Sequence, residues 1–185
     1  MAKRRCAISL SQFIFWRENE LLIRQIDLDD AEKLVNLILQ VESESDFMLF
    51  EAGERKLTPE QQRNRIVAME EEENSTIFVA EAEGDLIGYL IAIGGGARRN
   101  RHSVYLVVGI LESYRGKGVG SRLFLALENW AKKHHIHRLE LTVMTNNRAA
   151  IALYSKMGFE KEGIKRDSLL VNGEYVDEYF MAKLL

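Results

Sequence analysis

A nearly continuous apolar run, residues 103–111, constrains the fold of this chain more than any other segment. Such a run is typical of a strand that is buried on both faces of a sheet. It leads into a glycine-rich turn at residues 114–120, and apolar residues then recur at helical spacing over residues 118–133. This order predicts a central strand, a tight turn and a helix that packs on the sheet.

The rest of the chain supplies further strands and helices. Strands are predicted at residues 21–25, 76–82, 86–93, 138–143, 164–171 and 174–183, and helices at residues 28–40, 59–72 and 148–157. Glu83, Gly84 and Asp85 indicate a three-residue hairpin turn, and Asn172-Gly173 indicates a two-residue one. We therefore predict an α/β (α+β) fold: a single mixed, mostly antiparallel sheet with helices on both faces.

Length and composition predict one domain without a membrane span. The 185 residues show no linker, and no apolar run approaches the ~20 residues that cross a bilayer. A net charge of -3 argues against a nucleic-acid surface, and the single Cys6 excludes an internal disulfide and suits the cytoplasm. Polar residues interrupt the apolar stretch near the start, which favours an N-terminal extension at residues 1–20 over a secretory leader, followed by a domain at residues 21–185.

The glycine-rich turn has the chemistry of an anion site. At a turn that opens a helix, backbone N–H groups converge and the helix dipole favours negative charge. Glycines keep side chains out of the way, while Arg115 and Lys117 add positive charge. The turn lacks the Gly-Lys-Ser/Thr ending of a nucleoside-triphosphate loop and the acidic ribose anchor of a dinucleotide fold. A phosphate cradle and a plain basic turn both remain open at this point.

Two motifs resemble one known family. Arg-Gly-Lys-Gly-Val-Gly at residues 115–120 resembles the Arg/Gln-x-x-Gly-x-Gly/Ala pyrophosphate signature of the GNAT superfamily of N-acetyltransferases. Residues 147–159, with an Asn, an Ala-rich turn, a Tyr and a Gly-Phe pair, resemble its second landmark, and residues 172–181 resemble its ribosomal-protein and amino-acid acetyltransferase branch. The resemblance implies a sheet splayed at its central strand, with acetyl-CoA in the cleft as acetyl donor.

The resemblance also assigns roles to particular residues. It implies that the central strand bulges where it splays and offers backbone groups to the donor, and that Tyr154 protonates the departing thiolate. The residues implied in binding the donor are Val108, Gly109, Ile110, Arg115, Gly116, Lys117, Gly118, Val119, Gly120, Ser121, Asn147 and Tyr154. From the residues alone, Tyr154 also fits a helix packed in the core, and Asn147 also fits a helix cap.

The acceptor and the base are less clearly marked. A small-molecule or peptide amine is expected, and Glu51 and Glu54 in the long segment between the first two helices are candidates to attract it. Glu81, Glu112 and His102 are further candidates for the base that the amine needs. Cys6 lacks a paired base, which favours direct attack by the amine over an acyl-enzyme.

Several other interpretations stay open. The histidines at positions 134, 135 and 137 lack the spacing of a metal site, so no metal is expected. Family members often dimerise, which leaves a homodimer open. A catalytically silent acyl-CoA-binding sensor and a nucleotide-phosphate-binding protein are the two alternatives from other functional classes.

Overall fold

The computed structural model describes residues 21–185; the extension predicted at residues 1–20 lies outside this range. Its strands are β1 Leu22–Gln25, β2 Thr76–Ala82, β3 Asp85–Gly94, β4 Ser103–Ile110, β5 Arg138–Met144, β6 Glu160–Val171 and β7 Glu174–Leu184. Its α-helices are α1 Ala31–Ser43, α2 Pro59–Glu71, α3 Val119–Lys133 and α4 Arg148–Lys156. None of these helices is long and apolar enough to cross a membrane.

The strands form one seven-stranded sheet in the order β1-β2-β3-β4-β5-β7-β6. Neighbours pair antiparallel except for β4 and β5, which pair parallel at the centre of the sheet. The predicted mixed, mostly antiparallel sheet is therefore confirmed. The parallel pair arises because the chain crosses over through α3 between the two strands.

Apolar side chains cover the sheet from both sides. On one face, Leu34 and Ile38 of α1 and Ile66 of α2 pack against β2 and β3. On the other face, Leu123 and Leu127 of α3 pack against β2 to β5. All five of these side chains are at most 1% exposed, so each face has a closed core. The prediction of helices on both faces is confirmed.

Helix and turn boundaries differ from the predicted ones in two places. The first helix begins as a 3₁₀ turn over Leu28–Asp30, becomes α-helical at Ala31 and continues to Ser43, beyond the predicted end. The β2–β3 turn contains two residues rather than three: Glu83 and Gly84 both have positive φ, 55° and 88°. Two consecutive residues of this kind match the twist of a hairpin, so Asp85 joins the strand.

The predicted starts of α2 and α3 are confirmed in detail. Thr58 and Gln61 form a reciprocal capping box, with both side-chain-to-backbone distances at 3.2 Å, and Pro59 occupies the first position of α2. The other long helix, α3, begins directly after Gly118, whose φ of 82° is left-handed. The end of α1 and the start of α3 both lie beside the end of β4, where the candidate site is found.

Candidate active site

A cleft opens where the two central strands separate. β4 and β5 pair at only three positions, Ser103 with Arg138, Val104 with Leu139 and Tyr105 with Glu140. Beyond Tyr105, β4 continues to Ile110 and β5 to Met144 without pairing to each other. The backbone groups on these facing edges have no strand partner and are available to a ligand.

β4 and β5 diverge because each of them is paired with a different outer strand. β4 pairs with β3 in unbroken register from Val104 to Ile110, and β5 pairs with β7 over its whole length. Each central strand therefore follows its own half of the sheet. The prediction of a bulge in β4 at Val108, Gly109 and Ile110 is wrong, because the register with β3 is unbroken there. The separation of β4 from β5 opens the cleft without an extra residue in β4.

Gly109 is required by close packing on the face that carries α1. A Cβ at this position would lie 2.5 Å from two ring carbons of Tyr89 and 2.7 Å from its hydroxyl oxygen. Tyr89 is 1% exposed, so its ring has no room to move aside. The glycine therefore lets an aromatic ring lie directly on the strand that borders the cleft.

The turn before α3 presents open glycine backbone. Gly116 and Gly118 have φ of 74° and 82°, and a Cβ on either would meet no atom within 4 Å. Glycine adopts this left-handed conformation without steric cost, and turns that contain it form the anion-binding concavities known as nests. The space above both residues is free for a phosphate group.

The side chains of this turn have mixed roles. Arg115 donates from Nε to the Ile110 carbonyl at 3.1 Å and from both Nη atoms to the Glu44 carbonyl at 3.4 Å, so its guanidinium ties the turn to β4 and α1. Lys117 lies over the Tyr114 ring at 5.2 Å and is exposed. Lys117 is therefore the cation of this turn that remains free to meet an anion.

Gly120 lies where the start of α3 packs against α4, the helix that carries Tyr154. A Cβ on Gly120 would lie 2.6 Å from Cδ2 of Leu153, so this glycine permits close approach of α3 and α4. Val119 is buried and Ser121 is half-buried beside it. The third glycine of the motif thus serves helix packing, while the first two shape the anion cradle.

Tyr154 lies at the cleft with its ring fixed and its hydroxyl protonated. The ring packs edge-on against Phe124 at 5.7 Å and near Phe159 at 6.1 Å. Burial, with a smaller contribution from the neighbouring phenol of Tyr105, raises the pKa of Tyr154 to about 12. Its hydroxyl forms no hydrogen bond within residues 21–185 and holds a proton at neutral pH, as a general acid requires.

Asn147 is the N-cap of α4. Its Oδ1 accepts a hydrogen bond from the Ala150 N–H at 3.1 Å, and α4 starts at the next residue. At the other end of α4, Gly158 has φ of 86° and Phe159 N donates to the Tyr154 carbonyl at 3.0 Å. Both ends of the second motif therefore fix the helix that carries Tyr154.

A polar chain on the cleft wall was missed by the sequence analysis. The hydroxyls of Tyr105 and Thr142 lie 2.8 Å apart, across the point where β4 and β5 part. Burial raises the pKa of the Glu178 carboxyl, but hydrogen bonds from Ser168, Thr142 and Lys165 outweigh it and hold that pKa below its ordinary value. Along β4, the polar Tyr105 lies between Val104 and Leu106, which are both buried. This alternation of buried and exposed residues is the one feature of the sequence that indicates the contact between Tyr105 and Thr142.

The residues predicted to attract the amine or to act as its base lie in different surroundings. Glu51 and Glu54 are exposed, and Glu54 accepts a hydrogen bond from Glu51 N at 2.9 Å, which shapes their loop. Glu81 is paired with Arg24 at 2.8 Å. Glu112 and His102 are exposed at opposite ends of β4. The structure does not bring these residues together with Tyr154 in one hydrogen-bonded group.

The histidines and acidic residues of the described chain do not converge on a metal position. Within residues 21–185 no three His, Cys, Asp or Glu side chains form a group that could hold an ion. His134 stacks on Trp130 at 4.6 Å, and its Nδ1 lies 2.8 Å from the Glu73 carbonyl. Nδ1 of His137 lies 3.0 Å from the carbonyl oxygen of Leu185.

A cavity of about 1040 Å³ adjoins the turn. Its lining comes from β1, the β2–β3 turn and the start of α3, and it includes Lys117 and Arg122. No residue of the β4–β5 cleft lines it. It therefore shares Lys117 and Val119 with the glycine-rich turn and includes no residue of β4 or β5.

The sequence is similar to known acetyltransferases. The profile of the Acetyltransferase (GNAT) family matches residues 38–159. The L-amino acid N-acetyltransferase AaaT of Escherichia coli is 36% identical over 111 residues, which cover 58% of this chain and 67% of that protein. The ribosomal protein uS5-alanine N-acetyltransferase of E. coli is 34% identical over 86 residues, which cover 46% of this chain and only 44% of the relative.

Solved structures share the fold. An acetyltransferase of the GNAT family from Streptococcus pneumoniae superposes with a TM-score of 0.86 and 32% identity, covering 90% of this chain and 99% of that one. The Salmonella typhimurium protein yncA, solved with its cofactor acetyl-CoA, superposes with a TM-score of 0.79 at 21% identity, covering 90% and 95%. The splayed strands, the two motifs and the family profile agree, and the chain belongs to the acetyltransferase (GNAT) family of N-acetyltransferases.

Proposed function

We propose that the protein transfers the acetyl group of acetyl-CoA to a primary amine by direct attack in the β4–β5 cleft. The observation that carries this proposal is that the cleft, the open glycine turn and Tyr154 adjoin one another. Membership of the acetyltransferase family supports it, and yncA was solved with acetyl-CoA on the same fold.

The residues present fit the proposed donor. The cradle at Gly116 and Gly118 has room for a pyrophosphate, and Lys117 supplies a free cation. The unpaired edge of β4 offers backbone groups to the amide-bearing arm of the donor. The proposed donor site comprises Val108, Gly109, Ile110, Arg115, Gly116, Lys117, Gly118, Val119, Gly120, Ser121, Asn147 and Tyr154.

The chain contributes orientation and one proton to the reaction. Bound acetyl-CoA supplies the acetyl group as a thioester. N–H groups on the open edge of β4 polarise its carbonyl, while the amine nitrogen forms the new C–N bond and the C–S bond breaks. Tyr154 donates its phenolic proton to the leaving sulfur, the nitrogen loses a proton to solvent, and solvent restores the phenol.

The acceptor approaches from the loop between α1 and α2. Glu51 and Glu54 are exposed there, and we assign them the attraction of a cationic amine from solution. AaaT is named for L-amino acids and the uS5 enzyme for a protein alanine, so both small and peptide amines belong to this branch. The homodimer and the cytoplasmic location stay predictions.

Thiol release from acetyl-CoA tests the proposal. The wild type and the Tyr154→Phe variant are assayed with amino acids, peptides, polyamines and aminoglycosides, and acetylated products are identified by mass spectrometry. The variant keeps the ring contacts to Phe124 and Phe159, so it should fold normally and lose about 10²- to 10⁴-fold in kcat, with the KM for acetyl-CoA unchanged.

Two results would contradict the proposal. Acetyl-CoA binding without turnover of any amine would favour the silent sensor. Full activity of Tyr154→Phe would remove the phenol from the proton-transfer step and leave the rest of the site standing.

A further inference from the structure

Glu178 of β7 is a buried carboxylate with no role in the acetyl transfer described above. The residue is 8% exposed, and its Oε2 accepts hydrogen bonds from Ser168 Oγ at 2.5 Å and from Lys165 Nζ at 3.2 Å. Burial raises the pKa of this carboxyl, but the hydrogen bonds from Ser168, Thr142 and Lys165 outweigh burial and hold the pKa below its ordinary 4.5. Glu178 is therefore ionised at neutral pH.

Thr142 connects this carboxylate to the cleft. It lies opposite Phe180 in the register of β5 with β7, and Phe180 is two residues from Glu178, so Thr142 and Glu178 are diagonal neighbours on one face of the sheet. The hydroxyl of Thr142 also lies 2.8 Å from the hydroxyl of Tyr105, where β4 and β5 part. Three polar side chains therefore run from β7 through β5 to β4.

The charge on Glu178 sets the direction of the hydrogen bonds in this chain. A carboxylate only accepts, so Thr142 donates its hydroxyl proton to Glu178, and the Thr142 oxygen accepts the proton of Tyr105. The phenolic oxygen of Tyr105 keeps its own acceptor capacity and has no other hydrogen-bond partner within residues 21–185. A hydroxyl polarised in this way by a negative charge is suited to accept the N–H of an amine.

Tyr105 is accessible from the face of the sheet that carries α1. Val104 and Leu106 point into the core beneath α3, so Tyr105 points to the opposite face, on which Val107 packs against the α1 core. Within the described chain, the core that α1 and α2 form contains no residue of β5, β6 or β7. Tyr105 is 36% exposed there, whereas Tyr154 packs on the α3 side. The two phenols therefore border the cleft from opposite faces.

We propose that Tyr105, Thr142 and Glu178 form a relay that accepts the proton of the attacking amine. This inference rests on the proposed acetyl transfer and identifies the base of the same site. Tyr105 is the catalytic residue that touches the amine, and Thr142 and Glu178 act through it.

The proton passes along the relay as the C–N bond forms. The nitrogen gives its proton to Tyr105, Tyr105 gives its own to Thr142, and Thr142 gives its own to the Glu178 carboxylate. The C–S bond breaks on the other side of the cleft, where Tyr154 protonates the sulfur. Glu178 then releases its proton to solvent through the same chain and Tyr154 regains one from solvent, so the protons balance.

A weakly basic carboxylate is sufficient for this step. The attacking nitrogen becomes strongly acidic as the C–N bond forms, because its lone pair is then shared with the carbonyl carbon. The relay therefore acts in the transition state, where a positioned base contributes about 10²- to 10⁴-fold in rate.

The test removes one hydroxyl at a time. Thiol release is measured with the amine that the wild type acetylates fastest among L-alanine, an alanyl peptide, spermidine and an aminoglycoside. Tyr105→Phe and Thr142→Val should each lower kcat by about 10²-fold and leave the KM for acetyl-CoA unchanged. Thr142→Ser keeps the hydroxyl and should restore most of kcat. A packing role for Thr142 predicts the reverse order, because valine keeps the branched shape and serine does not.

Tyr175→Phe is the matched control, because the Tyr175 phenol is 72% exposed near the start of β7 and should leave kcat unchanged when removed. Glu178→Gln keeps the shape of the side chain and loses its charge, so its kcat should fall as far as that of Tyr105→Phe. The double variant of Tyr105→Phe with Glu178→Gln should lose little more than either change alone, since groups of one relay act as a unit.

Three results would overturn the relay and leave acetyl transfer standing. They are full kcat in Tyr105→Phe, additive losses in the double variant, and a Thr142→Val variant more active than Thr142→Ser. Absence of turnover by the wild type with every amine would contradict both proposals.

Discussion

Replacing Gly109 with alanine tests whether the strand that borders the cleft depends on close contact with Tyr89. The added Cβ would lie 2.5 Å from the ring, whereas ordinary contact begins at 3.4 Å. The ring must therefore shift by about 0.9 Å, or the strand must move, in a core that is already packed. Overpacking of this kind costs about 1–3 kcal/mol.

Thermal unfolding gives the measurement. For a chain of this length, a loss of 1 kcal/mol lowers Tm by about 2–4 °C, so Gly109→Ala should melt about 2–12 °C below wild type. Gly163→Ala is the matched control, because a Cβ there meets no atom within 4 Å and its φ is not left-handed. The control should stay within about 0.5 kcal/mol of wild type.

A double variant separates the ring contact from other causes. Tyr89→Leu removes the ring, so adding Gly109→Ala to it should cost at least about 1 kcal/mol less than adding it to wild type. If Gly109→Ala melts with wild type, or if its cost is the same in both backgrounds, the packing account of this glycine is refuted.

Three further predictions concern the turn, a helix cap and an ion pair. Gly116→Ala places a Cβ in open space at a φ of 74°, so it should fold with a loss of about 1–2 kcal/mol and raise the KM for acetyl-CoA; an unchanged KM would remove the turn from the donor site. Thr58→Ala removes the α2 cap and should cost about 1 kcal/mol in chemical denaturation, whereas Thr58→Ser should restore most of it. A hydrogen bond from Arg24 lowers the pKa of Asp30 below its ordinary 3.8, so this pair stabilises the fold above that pH and less as pH falls through the lowered pKa. The Tm deficit of Arg24→Met should therefore shrink on acidification, and a constant deficit would contradict the assignment.

The sequence predicted the elements and the motifs because their signals are local. Thr58 and Gln61 interact within one turn of helix, and Gly118 needs only its own left-handed backbone to start α3. Residues 147–159 likewise contain the cap, the helix and the left-handed end that hold Tyr154. Such contacts are encoded within a few residues and can be read from the chain.

Contacts between distant segments could not be predicted in this way. The role of Gly109 depends on a ring twenty residues earlier in the chain, and that of Gly120 depends on Leu153 in another helix. The 3.2 Å approach of Arg55 to Glu42 likewise appears only after the loop folds back over α1. Glu51 and Glu54 were predicted from this loop because their acidic side chains can be recognised in the sequence. The burial of Glu42, which is 4% exposed, is visible only in the structure.

Calorimetric titration with acetyl-CoA tests the central claim most directly, because the whole account depends on a donor site between β4 and β5. We predict one-to-one binding that coenzyme A displaces and that ATP and NAD do not. Absence of binding, or displacement by ATP as readily as by coenzyme A, would contradict the account and assign the glycine turn to a nucleotide phosphate instead.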